Sequence, residues 1–190
     1  MPNTAIASAI MLALVLATQA QAQAPARPPG RVIPASALPA TLRKAIAEDN
    51  AMCTDMGGKP GRPSKLVQFV DLNGDGLTDF IKDLGYYNCE GAASAMSAGQ
   101  SGSAVTIFVG APGGVAVEAY HAVVQGTKLI GPPGKQTLYV GVMGPDCGQK
   151  NAAKKAMADV EVCLRPLAWK AATKTFVLGP LGEKRPFSID

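Results

Sequence analysis

Three aspartates and an asparagine recur at alternate positions in Asp71-Leu72-Asn73-Gly74-Asp75-Gly76-Leu77-Thr78-Asp79, with glycines where the loop must turn back on itself. Hard oxygen donors at that spacing suit calcium. The expected ligands are the side chains of Asp71, Asn73, Asp75 and Asp79 together with the backbone carbonyl of Leu77, a position that needs no particular side chain. Three carboxylates held close repel one another, whereas Ca²⁺ would leave the loop with a charge of about −1 and lock the turn in a structural role. An EF-hand would need a bidentate glutamate where this chain has Lys82, and the flanks LVQFV and FIKDL read as strands rather than helices. The competing reading is a metal-free turn whose aspartates cap backbone amides.

Other chemistry-bearing residues form weaker patterns. The single histidine, His121, lies in VAVEAYHAVV at the alternation of Val115, Val117 and Val123, which predicts a half-buried structural histidine rather than a catalytic base. Gly131-Pro-Pro-Gly-Lys135-Gln136 has Leu129 where a phosphate loop needs glycine and Gln136 where it needs Ser or Thr, so it reads as a tight turn. Gly110 to Gly114 reads as a strand connector, and no nucleotide site is expected. The acid pairs Asp79 with Asp83 and Glu90 with Glu118 are the ones that could serve glycoside hydrolysis. Trp169 opens a hairpin-like stretch and is expected in the core or on a sheet face. Lys150, Lys154 and Lys155 are expected on a solvated face, although a polyanionic envelope component could meet them there.

The elements that must hold these residues follow from composition. The 190 residues are 47% hydrophobic and 17% charged, too apolar for a disordered chain. A net charge of +4 spread along the chain, with 5% aromatics, argues against a dedicated nucleic-acid binder. Twenty-one glycines and fifteen prolines exceed what a helical bundle tolerates and predict many short strands. One amphipathic helix is expected from Ser36 and Pro39 to Gly57-Gly58, with Leu38, Leu42, Ile46 and Met52 inward and Arg43, Lys44, Glu48 and Asp49 outward. Strands are expected near 66–70, 79–84, 104–109, 115–124, 137–143, 160–168 and 174–178, with a mobile loop over 91–102. The fold class predicted is α+β, mainly β, with the N-terminal helix packed on antiparallel hairpins in a single domain over 36–190.

Residues 5–20 are apolar without a charge, and Ala20 and Ala22 fit the small-residue rule of signal peptidase. This predicts a signal peptide over 1–22 cleaved after Ala22, although no Lys or Arg precedes the apolar core. A proline-rich flexible segment follows over 23–35, and no stable membrane span is expected after cleavage. Export to the periplasm or the medium turns the four cysteines into disulfide candidates. Of three possible pairings, Cys147 with Cys163 closes a lysine-rich insert, which leaves Cys53 with Cys89. Zinc is disfavoured, since no Cys-x-x-Cys pair occurs and His121 stands alone.

VDLNGDGLTDFI resembles the strand-loop-strand calcium element of FG-GAP and VCBS-type repeats, over Leu66 to Leu84. That resemblance implies Asp71, Asn73, Asp75, the Leu77 carbonyl and Asp79 as calcium ligands. The element occurs once, whereas the family's propellers contain it in series. The wider pattern of leader, early cysteine before Gly57-Gly58, this loop, Tyr87-Asn88-Cys89-Glu90-Gly91 and a late cysteine pair resembles small periplasmic proteins of proteobacterial type. No activity comes with it. The function expected is an exported, disulfide-bonded, calcium-stabilised, non-enzymatic envelope or secreted module with an envelope or extracellular partner. The alternatives are an exported hydrolase using an acid pair near the calcium loop, and a binding or inhibitor protein for another exported protein.

Overall fold

A computed structural model describes residues 35–61, 66–96 and 99–188. The expected leader and all but the last residue of the proline-rich segment lie outside the described residues. One α-helix, α1 (Ala40–Asp55), is followed by β1 (Lys59–Pro60), β2 (Val67–Val70), β3 (Asp79–Asp83), β4 (Cys89–Glu90), β5 (Ser103–Ala111), β6 (Val115–Val124), β7 (Thr127–Ile130), β8 (Thr137–Met143), β9 (Val162–Lys170), β10 (Thr175–Leu178) and β11 (Arg185–Pro186). The class is mainly β with a single long helix, as the composition predicts.

Every strand pair is antiparallel. The two larger sheets run β2-β3-β5-β6 and β10-β9-β8-β7, with β11 also paired to β9, while β1 and β4 form a small two-stranded sheet. Val70, Ile81, Val105 and Ile107 from the first sheet meet Leu138, Val140, Val142, Leu167 and Phe176 from the second in one apolar core. The opposite face of the first sheet presents Phe80, Phe108 and Ala116 to Leu38 and Leu42 of the helical layer. The order is therefore helix, sheet, sheet, and β3 is buried along its whole length between two layers.

The helix begins after Pro39, whose ring fixes the entry angle, and stops where Gly57 at φ +79° lets the Gly58 N–H return to the Cys53 carbonyl. Two of its faces differ from expectation. Asp49 is buried, because it meets Lys82 of β3, and Met52 is exposed. His121 is also exposed rather than half-buried. Its alternation with Val115 and Val117 breaks at a bulge: Ile107 faces Tyr120 while Phe108 faces Glu118, which leaves Ala119 as the extra residue and flips the strand's faces.

All seven expected strands form, within a few residues of their expected ends. Four others were not anticipated: β1, β4 and β11 have two residues each, and β7 is a four-residue run between Gly126 and Gly131. Within 91–102, Ala93–Met96 and Gly99–Ser101 are 3₁₀ turns, and Met96 packs with Leu66, Tyr87 and the Cys53–Cys89 bridge. Trp169 stacks at a tilt on Phe176 across the β9–β10 hairpin, with ring centroids 5.0 Å apart.

Candidate functional site

The loop from Asp71 to Thr78 joins β2 to β3, and its shape comes from side chains accepting backbone N–H groups. Asp71 accepts from Gly74 through Oδ1 at 2.7 Å and from Gly76 through Oδ2 at 2.9 Å. Asn73 Oδ1 accepts from the Asp75 N–H at 3.0 Å, and Asp75 Oδ1 accepts from the Leu77 N–H at 2.8 Å. Gly74 and Gly76 adopt φ +78° and +81°, backbone that a Cβ would strain. Asp71, Asn73, Asp75 and Leu77 thus share one compact turn, with the side-chain oxygens of the first three tied to its N–H groups in an Asx-type network.

Asp79 differs from these in being fully buried. Its Oδ2 accepts from the Leu72 N–H at 2.8 Å and its Oδ1 from the Gly110 N–H at 3.0 Å. One carboxylate therefore ties the start of the loop to the end of β5. The approach is close: a Cβ on Gly110 would stand 2.3 Å from the Thr78 carbonyl oxygen, so only glycine fits beside the loop. Burial pushes the Asp79 carboxyl above the usual range; the two N–H donors pull it down, and the charges of Asp75 and Asp71 push it up again.

Among the described residues, no Lys, Arg or His forms an ion pair with Asp71, Asp75 or Asp79. Nor do three His, Cys, Asp or Glu side chains form a group that could hold a metal by themselves. The expected calcium set also draws on the Asn73 amide oxygen and the Leu77 carbonyl, which fall outside that count. Each ionised carboxylate has about four lone-pair sites, so the N–H bonds leave Asp71, Asp75 and Asp79 with acceptor capacity for a hard cation. The donor set fits calcium in chemistry, being all oxygen and anionic.

The second expected acid, Asp83, is also buried. It accepts from the Gly85 N–H at 2.8 Å, the Ser103 hydroxyl at 3.3 Å and the Thr127 hydroxyl at 2.8 Å, which links the two sheets. Asp79 and Asp83 thus point their oxygens at structural donors. Glu90 and Glu118 are exposed, on strands of different sheets. Lys150, Lys154 and Lys155 are exposed, as expected. Gly131 to Gln136 forms the β7–β8 turn, closed by the Lys135 N–H on the Pro132 carbonyl at 3.0 Å.

Both disulfides form the expected pairs, Cys53–Cys89 and Cys147–Cys163, each with Cα atoms 5.8 Å apart. The first ties the end of α1 to β4; the second ties the turn after β8 to β9.

Two buried cations escaped sequence reasoning. Lys82 Nζ donates to Asp49 Oδ2 at 2.6 Å, with both side chains only 8% exposed. Burial raises the Asp49 carboxyl, and the hydrogen bond and charge of Lys82 oppose that rise. Arg165 of β9 donates to the carbonyls of Asp146 and Gly179. The signal was a cation set beside apolar residues in a strand, Lys82 after Phe80 and Ile81 in DFIKD and Arg165 in CLRPL. No helix of the described residues is long and apolar enough to cross a membrane. Compared with protein-family models, curated proteins and solved structures, the chain matches none.

Proposed function

We propose that this chain is an exported, non-enzymatic envelope or secreted module in which calcium locks the β2–β3 loop. The observation that carries the reading is one turn whose Asp71 and Asp75 interact by charge with the buried Asp79, with no cation paired to any of the three among the described residues. The three acids do not hold an ion by themselves, so the Asn73 and Leu77 oxygens are needed as well. Asp71, Asn73, Asp75 and the Leu77 carbonyl would hold the ion from the solvent side, and Asp79 from the core side. When bound, calcium supplies the positive charge that three neighbouring carboxylates lack. The chain's own part is to keep those oxygens close, through the loop's N–H bonds and the Gly110 contact. Leu77, exposed beside Asp75, belongs to the surface that a locked loop presents to an envelope or extracellular partner.

Two disulfides on a chain with an apolar N-terminal stretch support an oxidising destination, periplasmic or secreted. The likeness of VDLNGDGLTDFI to the FG-GAP and VCBS-type element supports the same ligand set. Calorimetric titration of calcium into the chelator-treated, oxidised protein tests the reading. One site is expected, with a stabilisation of about 2.7 kcal/mol when free calcium is 100 times Kd. Asp71→Ala and Asp75→Ala should each abolish it. Absence of binding at millimolar calcium would reduce the loop to a metal-free turn.

A further inference from the structure

Strand β6 ends the four-stranded sheet, with β5 on one side and, among the described residues, no strand on the other. It is ten residues long, and Val115, Val117 and Val123 are 52%, 59% and 51% exposed. Natural sheets guard such edges with lysine, proline or short length. This strand carries no lysine, arginine or proline, and its charge is confined to Glu118 and, when protonated, His121.

The bulge gives the strand a symmetric pattern of faces. Ala116 packs on the helix-side face with Phe108, and Glu118 lies opposite Phe108 on that face. Beyond the extra residue, Ala119, Tyr120, Ala122 and Val124 belong to the core between the sheets, which returns His121 and Val123 to the helix side. The pattern reads the same in both directions from the midpoint between Ala119 and Tyr120. Reversing the strand about that point sets Val115 on Val124, Ala116 on Val123, Val117 on Ala122 and Glu118 on His121, and each pair shares a face. A shift by one residue would break this match.

The backbone agrees. The Gly110 N–H points to Asp79 on the β3 side, so Ala116, opposite Gly110, turns its own N–H and C=O to the free edge. By the same alternation His121 and Val123, opposite Thr106 and Ala104, also face outward. Thr41 donates to the Ala116 carbonyl at 2.7 Å, but a carbonyl has two lone pairs and admits a second donor. His121 Nδ1 is engaged with the Thr106 hydroxyl at 2.9 Å, which leaves Nε2 for a partner.

We propose that β6 pairs antiparallel with β6 of a second copy of this chain, about a two-fold axis between Ala119 and Tyr120, with Glu118 of each copy facing His121 of the other. The pairing joins two four-stranded sheets into one of eight and covers the exposed valines. It is an isologous contact, so it closes at two copies. It does not depend on calcium.

Sedimentation velocity on the oxidised protein over low to high micromolar concentration tests the proposal. A monomer–dimer equilibrium is expected. His121→Glu, which sets like charges opposite each other twice, should raise the dimer dissociation constant about tenfold or more. Combining it with Glu118→His restores opposite partners and should recover association. Hydrogen exchange keeps the result independent of how the variants fold: the His121 and Val123 amides of the unmodified protein should exchange more slowly in concentrated than in dilute solution. A monomer at all concentrations, a dimer indifferent to His121→Glu, or exchange at those amides that ignores concentration would each overturn the pairing.

Discussion

Removing one partner of the Asp49–Lys82 pair is the sharpest test of how the helix is held to the sheet. Both side chains are only 8% exposed and their charges meet at 2.6 Å. Asp49→Ala would strand the Lys82 ammonium between α1 and β3, and breaking a buried pair in this way costs about 3–5 kcal/mol. For a domain of this size that corresponds to a fall in Tm of about 6–20 °C. The pair as a whole is worth much less than its halves, since burying two charges offsets most of their attraction. Asp49→Leu combined with Lys82→Met should therefore recover most of the loss. Urea unfolding of the oxidised single and double variants measures the cycle. The acid limb adds an independent reading. The native pKa of Asp49 lies above the unfolded value of 3.8, so its contribution to stability is present below 3.8 and is lost as pH rises through the native pKa. The stability of Asp49→Asn should vary less with pH across that window than that of the unmodified chain. An Asp49→Ala cost below about 1 kcal/mol, the range of solvated pairs, would refute the view that the pair is desolvated.

Three further outcomes are expected. Gly110→Ala drives a Cβ to 2.3 Å from the Thr78 oxygen, so the loop must shift; Tm should fall and calcium affinity weaken together, by melting and titration of the same sample. Replacing Cys147 and Cys163 by serine opens a loop with a sequence separation of 16 and should cost about 3 kcal/mol in urea unfolding. Arg165→Leu leaves the Asp146 and Gly179 carbonyls without that donor, and a loss of about 2–4 kcal/mol is expected by the same measurement.

What the sequence made legible depended on whether a signal was local. The turn from Asp71 to Thr78 between two strands, the Gly57 stop and the valine-rich runs all act within a few residues, and each appears where the pattern places it. Both cysteine pairs were reachable because the expectation of an oxidising compartment and the chain separation narrow the choice. Asp49 defeated the helical pattern for a different reason. A carboxylate counts as outward-facing unless its partner is known, and that partner is 33 residues away on β3. The environment of His121 was illegible because one extra residue, Ala119, reverses the face of everything after it, and nothing in VAVEAYHAVV marks where the insertion falls.

Asp79 shows how the two kinds of information combine. Its spacing from Asp71 makes it one of the proposed calcium ligands, while its burial and its bond to Gly110 exist without reference to any ion. The residue therefore has two separable roles. Under the proposed calcium reading, Asp71→Ala removes oxygens from an exposed turn and should act on calcium affinity with little cost to the ion-free fold. Asp79→Ala also orphans the Leu72 and Gly110 N–H groups, one of them at the end of a central strand, so it must destabilise the protein even in chelator. The geometry ties the loop to the β5–β6 hairpin through this one carboxylate, whether or not an ion is bound.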